Sequence, residues 1–328
     1  MKPKVLISTS IQPDVLKALE TLLSDVAEVR FVAPSLNHEF LNELEGAAAL
    51  IPLNESIGEE MLNHAMKLKA VSRLGVGYDK VDIEACTKRS IYITHTPGVV
   101  SRAVAELTMG LMLCLSRKIL ISDRYVRSEW AKPDRIMLPL REDLAEKTLG
   151  IIGLGRIGQG VARRAKAFDM NLVYYDKVRN EKAENELGIR YLWLDDLLRE
   201  SDFVSVHVPL TPETKGLIGA RELRLMKKTA YLINTSRGQV VDEEALCHAL
   251  DQSRIAGAGL DVYAKEPLPF DSPLSKMENV VLTPHMGTHT VETRSLMVLS
   301  AVDNIKKVLV GEVPPNVVPE QRGRTFEK

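Results

Sequence analysis

The chain has little cysteine, few aromatic residues and almost no net charge. Its 328 residues include three cysteines and 5% aromatic residues, and the formal net charge is -1 at pH 7. Cys86, Cys114 and Cys247 lie far apart and form no CxxC or Cys/His cluster, so we expect no disulfide framework and no zinc or other metal site. We interpret them as buried thiols in a reducing compartment, which predicts a cytoplasmic location.

The near-zero charge also bears on partners. No basic face stands out, so neither nucleic acid nor an anionic membrane is expected as a partner. No apolar run is long enough to span a bilayer, and the N-terminal MKPKVLISTS lacks a signal-peptide core and cleavage site. What is present is 45% apolar and 27% charged residues, over a length that predicts two globular domains.

Short apolar segments alternate with helical patterns over residues 1 to about 95, from KVLIS and DVLKALETLL to KAVSRL and VDIEACTKR. This alternation predicts an α/β fold with a parallel sheet flanked by helices. The loop Gly75-Val76-Gly77-Tyr78-Asp79 would follow the strand KAVSRL, on the side where open α/β sheets bind ligands. The amides of Val76 and Gly77 are therefore candidates for binding a small anion, and an ordinary glycine turn is the equal alternative.

The stretch Thr148 to Gly160, TLGIIGLGRIGQG, predicts a dinucleotide site. Its Gly153-x-Gly155-x-x-Gly158 motif stands between an apolar strand and an amphipathic helix. In that context the glycines allow a tight turn, the approach of a pyrophosphate and close packing of helix on sheet, and the helix N-terminus attracts the phosphates. The next strand ends in Asp176, whose carboxylate can accept hydrogen bonds from the adenosine ribose. A glycine-rich structural turn is the alternative.

A dense apolar helical pattern precedes this motif. It runs from the N-cap Ser101 through SRAVAELTMGLMLCLSRKILISDRYVR, and its Met and Leu residues are interpreted as core or subunit interface. The segment Trp130 to Glu146 mixes prolines, charges and apolar residues without a period. It predicts an extended arm that needs cover from a second subunit.

Three reactive side chains each follow the end of a predicted strand: Arg237, Glu266 and His285. Together, these three side chains would face a bound nicotinamide. Hydride transfer to a 2-oxo acid needs a cation for the carboxylate, a donor at the carbonyl oxygen and a proton source. Arg237 suits the first role and part of the second, His285 suits proton donation, and Glu266 would hold the histidine tautomer. Taken singly, each has an alternative as a surface arginine, a surface glutamate or a core histidine.

These residues, with Gly75-x-Gly77-x-Asp79, GIIGLGRIGQG, NTSRGQVVDEEAL, GLDVYAKEP and VVLTPHMG, resemble the D-isomer-specific 2-hydroxyacid dehydrogenase family over nearly the whole chain. The resemblance implies two Rossmann-like domains with parallel sheets. Residues 1–99 and 290–328 would form a substrate-binding domain, and residues 100–289 an inserted NAD-binding domain. It also implies Arg237, Glu266 and His285 as the catalytic set, closure over the substrate, and a homodimer joined through the cofactor domains.

The resemblance further implies which residues contact ligands. The substrate-binding residues would be Leu53, Val76, Gly77, Arg237 and His285. The cofactor-binding residues would be Gly153, Gly155, Arg156, Ile157, Gly158, Asp176, His207, Val208, Pro209, Thr235, Ser236, Arg237, Asp261, His285 and Gly287. Asp261 would lie near the nicotinamide amide, and His207 either touches the dinucleotide or fills its strand end. Asp176 would repel a 2′-phosphate, which predicts NAD(H) over NADP(H), although Lys177 and Arg179 could soften that preference.

Within the family, the stretch LPFDSPLSKMENVVLTPH looks most like glyoxylate and hydroxypyruvate reductases. Arg102 and Thr288-His289 depart from the common reductase pattern. They are either a means of selecting a substrate with a further anionic or hydroxyl group, or solvated residues at a helix start. A dehydrogenase for another D-2-hydroxy acid, such as 3-phosphoglycerate or a sugar acid, is an alternative. An NAD-sensing corepressor that binds partner peptides is an alternative of another class.

Overall fold

The computed structural model of the chain describes residues 2–8, 13–33, 37–52, 55–132, 138 and 140–326. Leu53, a predicted substrate contact, lies outside these ranges. The chain folds into two compact units, one comprising Met1–Val100 with Thr288–Lys328 and the other Ser101–Gly287. Each unit contains one sheet of parallel strands with helices, so the predicted α/β fold class is confirmed.

The first unit is built on a five-stranded sheet. Its strands are β1 (Lys4–Ser8), β2 (Glu28–Val32), β3 (Ala47–Ile51), β4 (Ala70–Ser72) and β5 (Tyr92–Thr94). Its helices are α1 (Pro13–Leu23), α2 (His38–Glu45), α3 (Glu59–Leu62), α4 (Ile83–Lys88) and α12 (Val291–Leu309). The strand order β2-β1-β3-β4-β5 is a common order of doubly wound sheets.

Both faces of this sheet are buried. In β1, Leu6 packs on the side that holds Phe40 and Leu44 of α2, whereas Val5 and Ile7 pack on the side of α1 and α12. Helices on both faces explain why these strands are apolar throughout rather than alternating.

Two elements of the first unit differ from the sequence-based prediction. The pattern EEMLNHAM predicts a two-turn helix, but only the single turn of α3 forms. The pattern also gives no indication of β5, a strand of three residues. The C-terminal segment covers this edge strand: Thr94 forms an antiparallel bridge with Val317, and the Val318 amide donates to the Ile93 carbonyl at 3.0 Å.

The second unit contains a seven-stranded sheet. Its strands are β6 (Thr148–Ile152), β7 (Asn171–Tyr175), β8 (Arg190–Tyr191), β9 (Phe203–Val206), β10 (Tyr231–Asn234), β11 (Gly257–Leu260) and β12 (Val280–Leu282). Its helices are α5 (Ser101–Ser116), α6 (Ile119–Ser128), α7 (Arg156–Lys166), α8 (Glu181–Leu187), α9 (Leu194–Glu200), α10 (Ala220–Leu225) and α11 (Glu243–Asp251). The order β12-β11-β10-β9-β6-β7-β8 reverses between β6 and β9, the point where doubly wound sheets bind ligands.

The apolar pattern that begins at Ser101 forms two helices rather than one. Lys118 adopts a left-handed conformation with φ of 50°, which interrupts the helical backbone between α5 and α6. α5 is largely buried, whereas α6 has no buried residue in this chain. Of the predicted arm, residues 133–137 and 139 lie outside the described ranges, and the described remainder forms no strand or helix.

The cysteines are unpaired thiols. Cys86 is buried as predicted, and desolvation raises its thiol pKa to about 12. Cys114 and Cys247 are only half-buried, so the prediction of three buried thiols is wrong for these two. No helix within the described ranges has the length and apolar character of a membrane span.

Candidate active site

The glycine loop joins β6 to α7 beside the reversal in strand order. Gly153 has a positive φ of 94°, and a Cβ atom there would lie 2.9 Å from the His207 backbone at the end of β9. A Cβ atom on Gly158 would lie 2.1 Å from the Gly153 carbonyl oxygen, so only glycine lets α7 begin this close to the turn. Gly155, the N-cap of α7, faces open space instead. The loop therefore leaves room for a phosphate at the helix N-terminus.

Asp176 follows β7 and is tied to the glycine loop. Its Oδ2 accepts a hydrogen bond from the Leu154 amide at 2.8 Å, and its Oδ1 accepts one from the Lys177 amide at 2.7 Å. The carboxylate borders a depression of about 450 Å³ lined by Leu154, Asp176, Val178, Arg179, Asn180 and Glu181. This is the position that the sequence predicts for the adenosine ribose.

Both cations that follow Asp176 have carboxylate partners. The Arg179 Nε and Nη2 atoms donate to Glu184 Oε1 and Oε2 at 2.8 and 2.7 Å, and the Tyr174 hydroxyl donates to Oε1 at 2.7 Å. The hydrogen bonds from Arg179 and then Tyr174 lower the pKa of Glu184 to about 2, so the pair is fully charged at neutral pH. Lys177 Nζ lies 3.8 Å from Glu213 Oε2.

The predicted cofactor residues near the ends of β6 and β9 differ in exposure. His207 Nε2 lies 2.7 Å from the Ser205 hydroxyl, and burial lowers the pKa of His207 to about 3, so this histidine is neutral at physiological pH. Val208 is half-buried and Pro209 is exposed. At the start of α7, Arg156 is exposed and Ile157 is half-buried.

The loop after β10 is held by its own hydrogen bonds. The Ser236 hydroxyl donates to Asn234 Oδ1 at 2.8 Å, and Asn234 Nδ2 donates to the Arg237 carbonyl at 2.9 Å. The guanidinium of Arg237 donates from Nη1 to the Ser236 carbonyl at 2.7 Å. Thr235 is buried, and its hydroxyl lies 3.1 Å from that of Thr108 on α5. These bonds keep Arg237 at the carboxyl edge of the sheet.

Glu266 and His285 form a hydrogen-bonded pair at the same edge. Glu266 Oε2 lies 2.7 Å from His285 Nδ1, and Glu266 Oε1 accepts from the Tyr263 amide at 3.1 Å. Burial alone would raise the pKa of Glu266, but His285, the Tyr263 amide and the charge of Arg237 outweigh it and lower that pKa. The ionised carboxylate can only accept, so Nδ1 donates and Nε2 is the nitrogen that can exchange a proton with a ligand.

Close packing brings the Arg237 loop against the Glu266 loop. A Cβ atom on Gly238 would lie 1.9 Å from the Tyr263 carbonyl carbon, so no other residue fits between these two backbones. Gln239 Nε2 also donates to the Ala264 carbonyl at 2.8 Å. Arg237, Glu266 and His285 therefore converge at one edge of the second unit, within range for the charge of Arg237 to act on Glu266.

Asp261 anchors the loop that carries His285, a role that sequence reasoning did not predict. Its Oδ1 accepts from the Thr283 hydroxyl at 2.6 Å and the Met286 amide at 2.8 Å, and its Oδ2 accepts from the Gly287 amide at 2.9 Å. Asp261 is 1% exposed, and this burial raises its pKa. A carboxylate at the end of a buried strand, one strand from the His285 loop, was the available signal.

Tyr263 is a second residue missed in the sequence. Its amide holds Glu266, while its hydroxyl donates to the Thr283 carbonyl at 2.8 Å. One side chain thus links the loops of Glu266 and His285. Its aromatic ring in GLDVYAKEP was the only sequence signal.

The predicted anion-binding loop belongs to the first unit. Val76 is exposed, Gly77 is half-buried, and within the described ranges neither amide donates a hydrogen bond. The Val76 carbonyl lies 3.1 Å from Nδ1 of the buried His95, a contact that the sequence did not predict. The amides are therefore available to an anion while the carbonyl between them is held.

The departures from the reductase pattern lie near helix starts, as the sequence predicts. Arg102 is exposed in the first turn of α5, and Thr288 and His289 precede α12 as half-buried and exposed residues. Their influence on substrate choice stays a prediction.

A doubly wound sheet with a glycine loop at its switch point and with arginine, glutamate and histidine at its carboxyl edge is the arrangement expected of a nicotinamide-dependent dehydrogenase. A family model described as "D-isomer specific 2-hydroxyacid dehydrogenase, NAD binding domain" matches residues 109–287. The chain belongs to the D-isomer-specific 2-hydroxyacid dehydrogenase family. The family resemblance predicted from the motifs is confirmed.

Close relatives match along the whole length. A glyoxylate reductase of Korarchaeum cryptofilum is 44% identical over 323 residues, which cover 98% of this chain and 97% of the relative. A glyoxylate reductase of Pyrococcus horikoshii is 45% identical over 324 residues, 97% of this chain and 96% of the relative.

Solved structures agree in fold. The D-lactate dehydrogenase of Aquifex aeolicus, complexed with NAD and lactic acid, has a TM-score of 0.87 and 31% identity over 96% of this chain and 98% of its own. The NADPH-dependent glyoxylate/hydroxypyruvate reductase of Sinorhizobium meliloti, complexed with NADP and malonate, has a TM-score of 0.88 and 30% identity over 100% of this chain and 99% of its own. The protein is accordingly an NAD(P)-dependent oxidoreductase of the class that acts on small 2-oxo and 2-hydroxy acids.

Proposed function

We propose that the protein reduces glyoxylate, and also hydroxypyruvate, with NADH. The observation that carries this proposal is the 2.7 Å hydrogen bond between Glu266 and His285. The charge of Arg237 acts on the Glu266 carboxylate of this pair. The relatives named glyoxylate reductase, at 44% and 45% identity, support the choice of substrate.

We assign to Arg237 the binding of the substrate's carboxylate and carbonyl oxygen. Its planar guanidinium can donate to both oxygens from one edge, and its charge stabilises the negative charge that develops on the carbonyl oxygen. When bound, the nicotinamide supplies the hydride. The Ser236 carbonyl, which accepts from Nη1, limits the rotation of the guanidinium.

We assign to His285 the transfer of the proton. Because Nδ1 is engaged with Glu266, Nε2 donates to the carbonyl oxygen as the alkoxide forms, and in the reverse direction it accepts the proton of the 2-hydroxyl group. The ionised Glu266 holds the ring orientation and stabilises the imidazolium. Asp261 keeps the His285 loop in place through its three hydrogen bonds.

We assign to the amides of Val76 and Gly77 the binding of the substrate's carboxylate. Val76 is exposed and Gly77 is half-buried, and neither amide donates a hydrogen bond within the described ranges, which supports this assignment. Leu53 is proposed as an apolar contact on the basis of the family resemblance alone.

NADH is proposed over NADPH because Asp176 would face the 2′-position. The carboxylate partners of Arg179 and Lys177 strengthen this proposal, since a 2′-phosphate would have to compete with Glu184 for the guanidinium.

A substrate panel tests the proposal. Purified protein is mixed with NADH and glyoxylate, hydroxypyruvate, pyruvate, phosphohydroxypyruvate or a 2-oxo sugar acid, and oxidation is followed at the nicotinamide absorbance. We expect the highest kcat/KM for glyoxylate or hydroxypyruvate. A higher kcat/KM for phosphohydroxypyruvate or the 2-oxo sugar acid would show that one of these, and not glyoxylate or hydroxypyruvate, is the preferred substrate. No turnover with any acid would favour the NAD-sensing corepressor.

A homodimer joined through the second unit is also proposed. Apolar side chains on and after α6 are 45% to 56% exposed in the single chain, namely Ile119, Leu120, Val126 and Trp130. We interpret these exposed apolar side chains as part of a subunit interface. Light scattering after size exclusion should give twice the chain mass of 36.5 kDa.

A cytoplasmic location is proposed from the unpaired thiols, and cell fractionation tests it.

A further inference from the structure

His95 lies directly after β5, behind the loop that carries Val76 and Gly77. The side chain is 6% exposed, and its Nδ1 is 3.1 Å from the Val76 carbonyl oxygen. A carbonyl oxygen can only accept a hydrogen bond, so this contact requires the proton on Nδ1. The buried imidazole therefore donates to the one carbonyl between the two amides assigned to the substrate.

Several elements of the first unit fix His95 itself. Its amide donates to the Asn316 carbonyl at 3.1 Å, and its carbonyl accepts from Asn304 of α12 at 3.4 Å. The Tyr78 ring meets the imidazole edge-on at a centroid distance of 5.5 Å. The Tyr78 hydroxyl in turn lies 3.3 Å from both carboxylate oxygens of Glu320. The donor is thus held by α12, by the C-terminal segment and by the loop's own tyrosine.

The contact determines where an amide points. The Val76 carbonyl and the Gly77 amide belong to one planar trans peptide, in which C=O and N–H point in opposite directions. Holding the carbonyl toward the interior directs the Gly77 N–H away from it. The same hydrogen bond polarises the peptide and strengthens the N–H as a donor.

We infer that His95 is a positioning residue for substrate binding: its Nδ1–H orients the Val76–Gly77 peptide so that the Gly77 amide meets the substrate's carboxylate. This inference rests on the proposed role of the Val76 and Gly77 amides. Loss of the donor frees the peptide to rotate and weakens substrate binding. The cofactor loop belongs to the second unit, so NADH binding does not depend on this donor.

Two variants separate the donor from the bulk of the side chain. In His95→Asn, Nδ2 stands as many bonds from Cα as Nδ1 does in histidine and can donate to the Val76 carbonyl. In His95→Gln, the amide nitrogen lies one bond farther away, at the place of Nε2. We expect His95→Asn to keep the KM for glyoxylate near that of the parent protein and His95→Gln to raise it roughly tenfold, the effect of losing one hydrogen bond at a charged group. The KM for NADH stays unchanged in both, and kcat changes less than KM.

Binding of oxamate to the NADH complex, measured by calorimetry, provides a readout without turnover. We expect similar, low Kd values for oxamate in the parent protein and His95→Asn, and a higher Kd in His95→Gln. Equal values for parent and His95→Gln, or equal losses in both variants with melting temperatures unchanged, would overturn the inference. So would a parent protein that binds no oxamate. If the parent protein binds oxamate but reduces no 2-oxo acid, the proposed function fails, while the order of oxamate affinities still decides the role of His95.

Discussion

Glu266 Oε2 and His285 Nδ1 lie 2.7 Å apart although the two residues are 19 positions apart in the chain and follow different strands. The lowered pKa of Glu266 keeps the carboxylate ionised at neutral pH, so a full negative charge faces the imidazole. Glu266→Gln keeps the shape and removes this charge. We expect kcat for reduction to fall about 10- to 100-fold, since general acid catalysis depends on the protonated ring. The pH above which reduction declines should also move down, and a profile of kcat against pH measures both effects. An unchanged profile would contradict the assigned role.

Removal of His285 or Arg237 should affect different parameters. We expect His285→Ala to lower kcat by about 10² to 10⁴, the range of a lost acid catalyst, with NADH affinity nearly unchanged. Arg237→Ala should damage both kcat and the KM for the 2-oxo acid, because it removes a contact to substrate and transition state. Steady-state kinetics separate the two patterns. The exposed His248 on α11 offers a control, and His248→Ala should behave as the parent protein. Parent-like activity in either active-site variant would rule out the mechanism.

Asp261→Asn tests the anchor of the His285 loop. The amide retains one acceptor oxygen where the carboxylate accepts three hydrogen bonds, and its NH2 group faces a backbone donor. We expect a loss of about 1 to 3 kcal/mol in the free energy of unfolding, the cost of unpaired buried polar groups, together with reduced kcat. Urea unfolding and kinetics measure the two effects. Asp271→Asn changes an exposed carboxylate and should alter neither. Stability and rate equal to those of the parent would show that the loop is held by other contacts.

Asp176→Ser tests cofactor choice. Removal of the carboxylate ends its repulsion of a 2′-phosphate, and we expect the ratio of kcat/KM for NADPH to that for NADH to rise at least about tenfold. Kinetics with both cofactors at fixed glyoxylate provide the measurement. Glu181→Gln, which changes a carboxylate lining the same depression, is the matched control. If the parent protein already prefers NADPH, the assigned preference is wrong.

The Arg179 and Glu184 pair should make stability depend on pH. The folded-state pKa of Glu184, about 2, lies below its ordinary value of 4.5, so the pair contributes stability that is fully present above pH 4.5 and is lost as the pH falls toward 2. Glu184→Gln should therefore melt at a lower temperature than the parent at pH 7. The difference should shrink as the pH falls below 4.5. Thermal unfolding across this range measures it, and a difference independent of pH would assign the effect to packing.

The errors in the sequence-based prediction share a cause. The short strand β5, the break between α5 and α6 at Lys118 and the partners of Asp261 all depend on groups distant in the chain or on a single backbone angle. Periodicity reports only which residues of one segment are buried together. It therefore predicts a helix over residues 291–309, which is α12, but does not predict the break at Lys118.

By itself, the sequence determined the class of fold and the glycine turn, and it indicated the three side chains that we propose as the catalytic set. Strand and helix periods, φ-permissive glycines and strand ends are local properties, and in a parallel sheet every strand end lies at a common edge. Only the tertiary structure decided what each reactive group contacts. The pairing of Glu266 with His285, the contact of Gly238 with the Tyr263 backbone, the hydrogen bonds of Asp261 and the donor behind Val76 join residues from separate loops. Each depends on atoms placed to within a few tenths of an ångström, which packing of the folded chain sets and no single segment encodes.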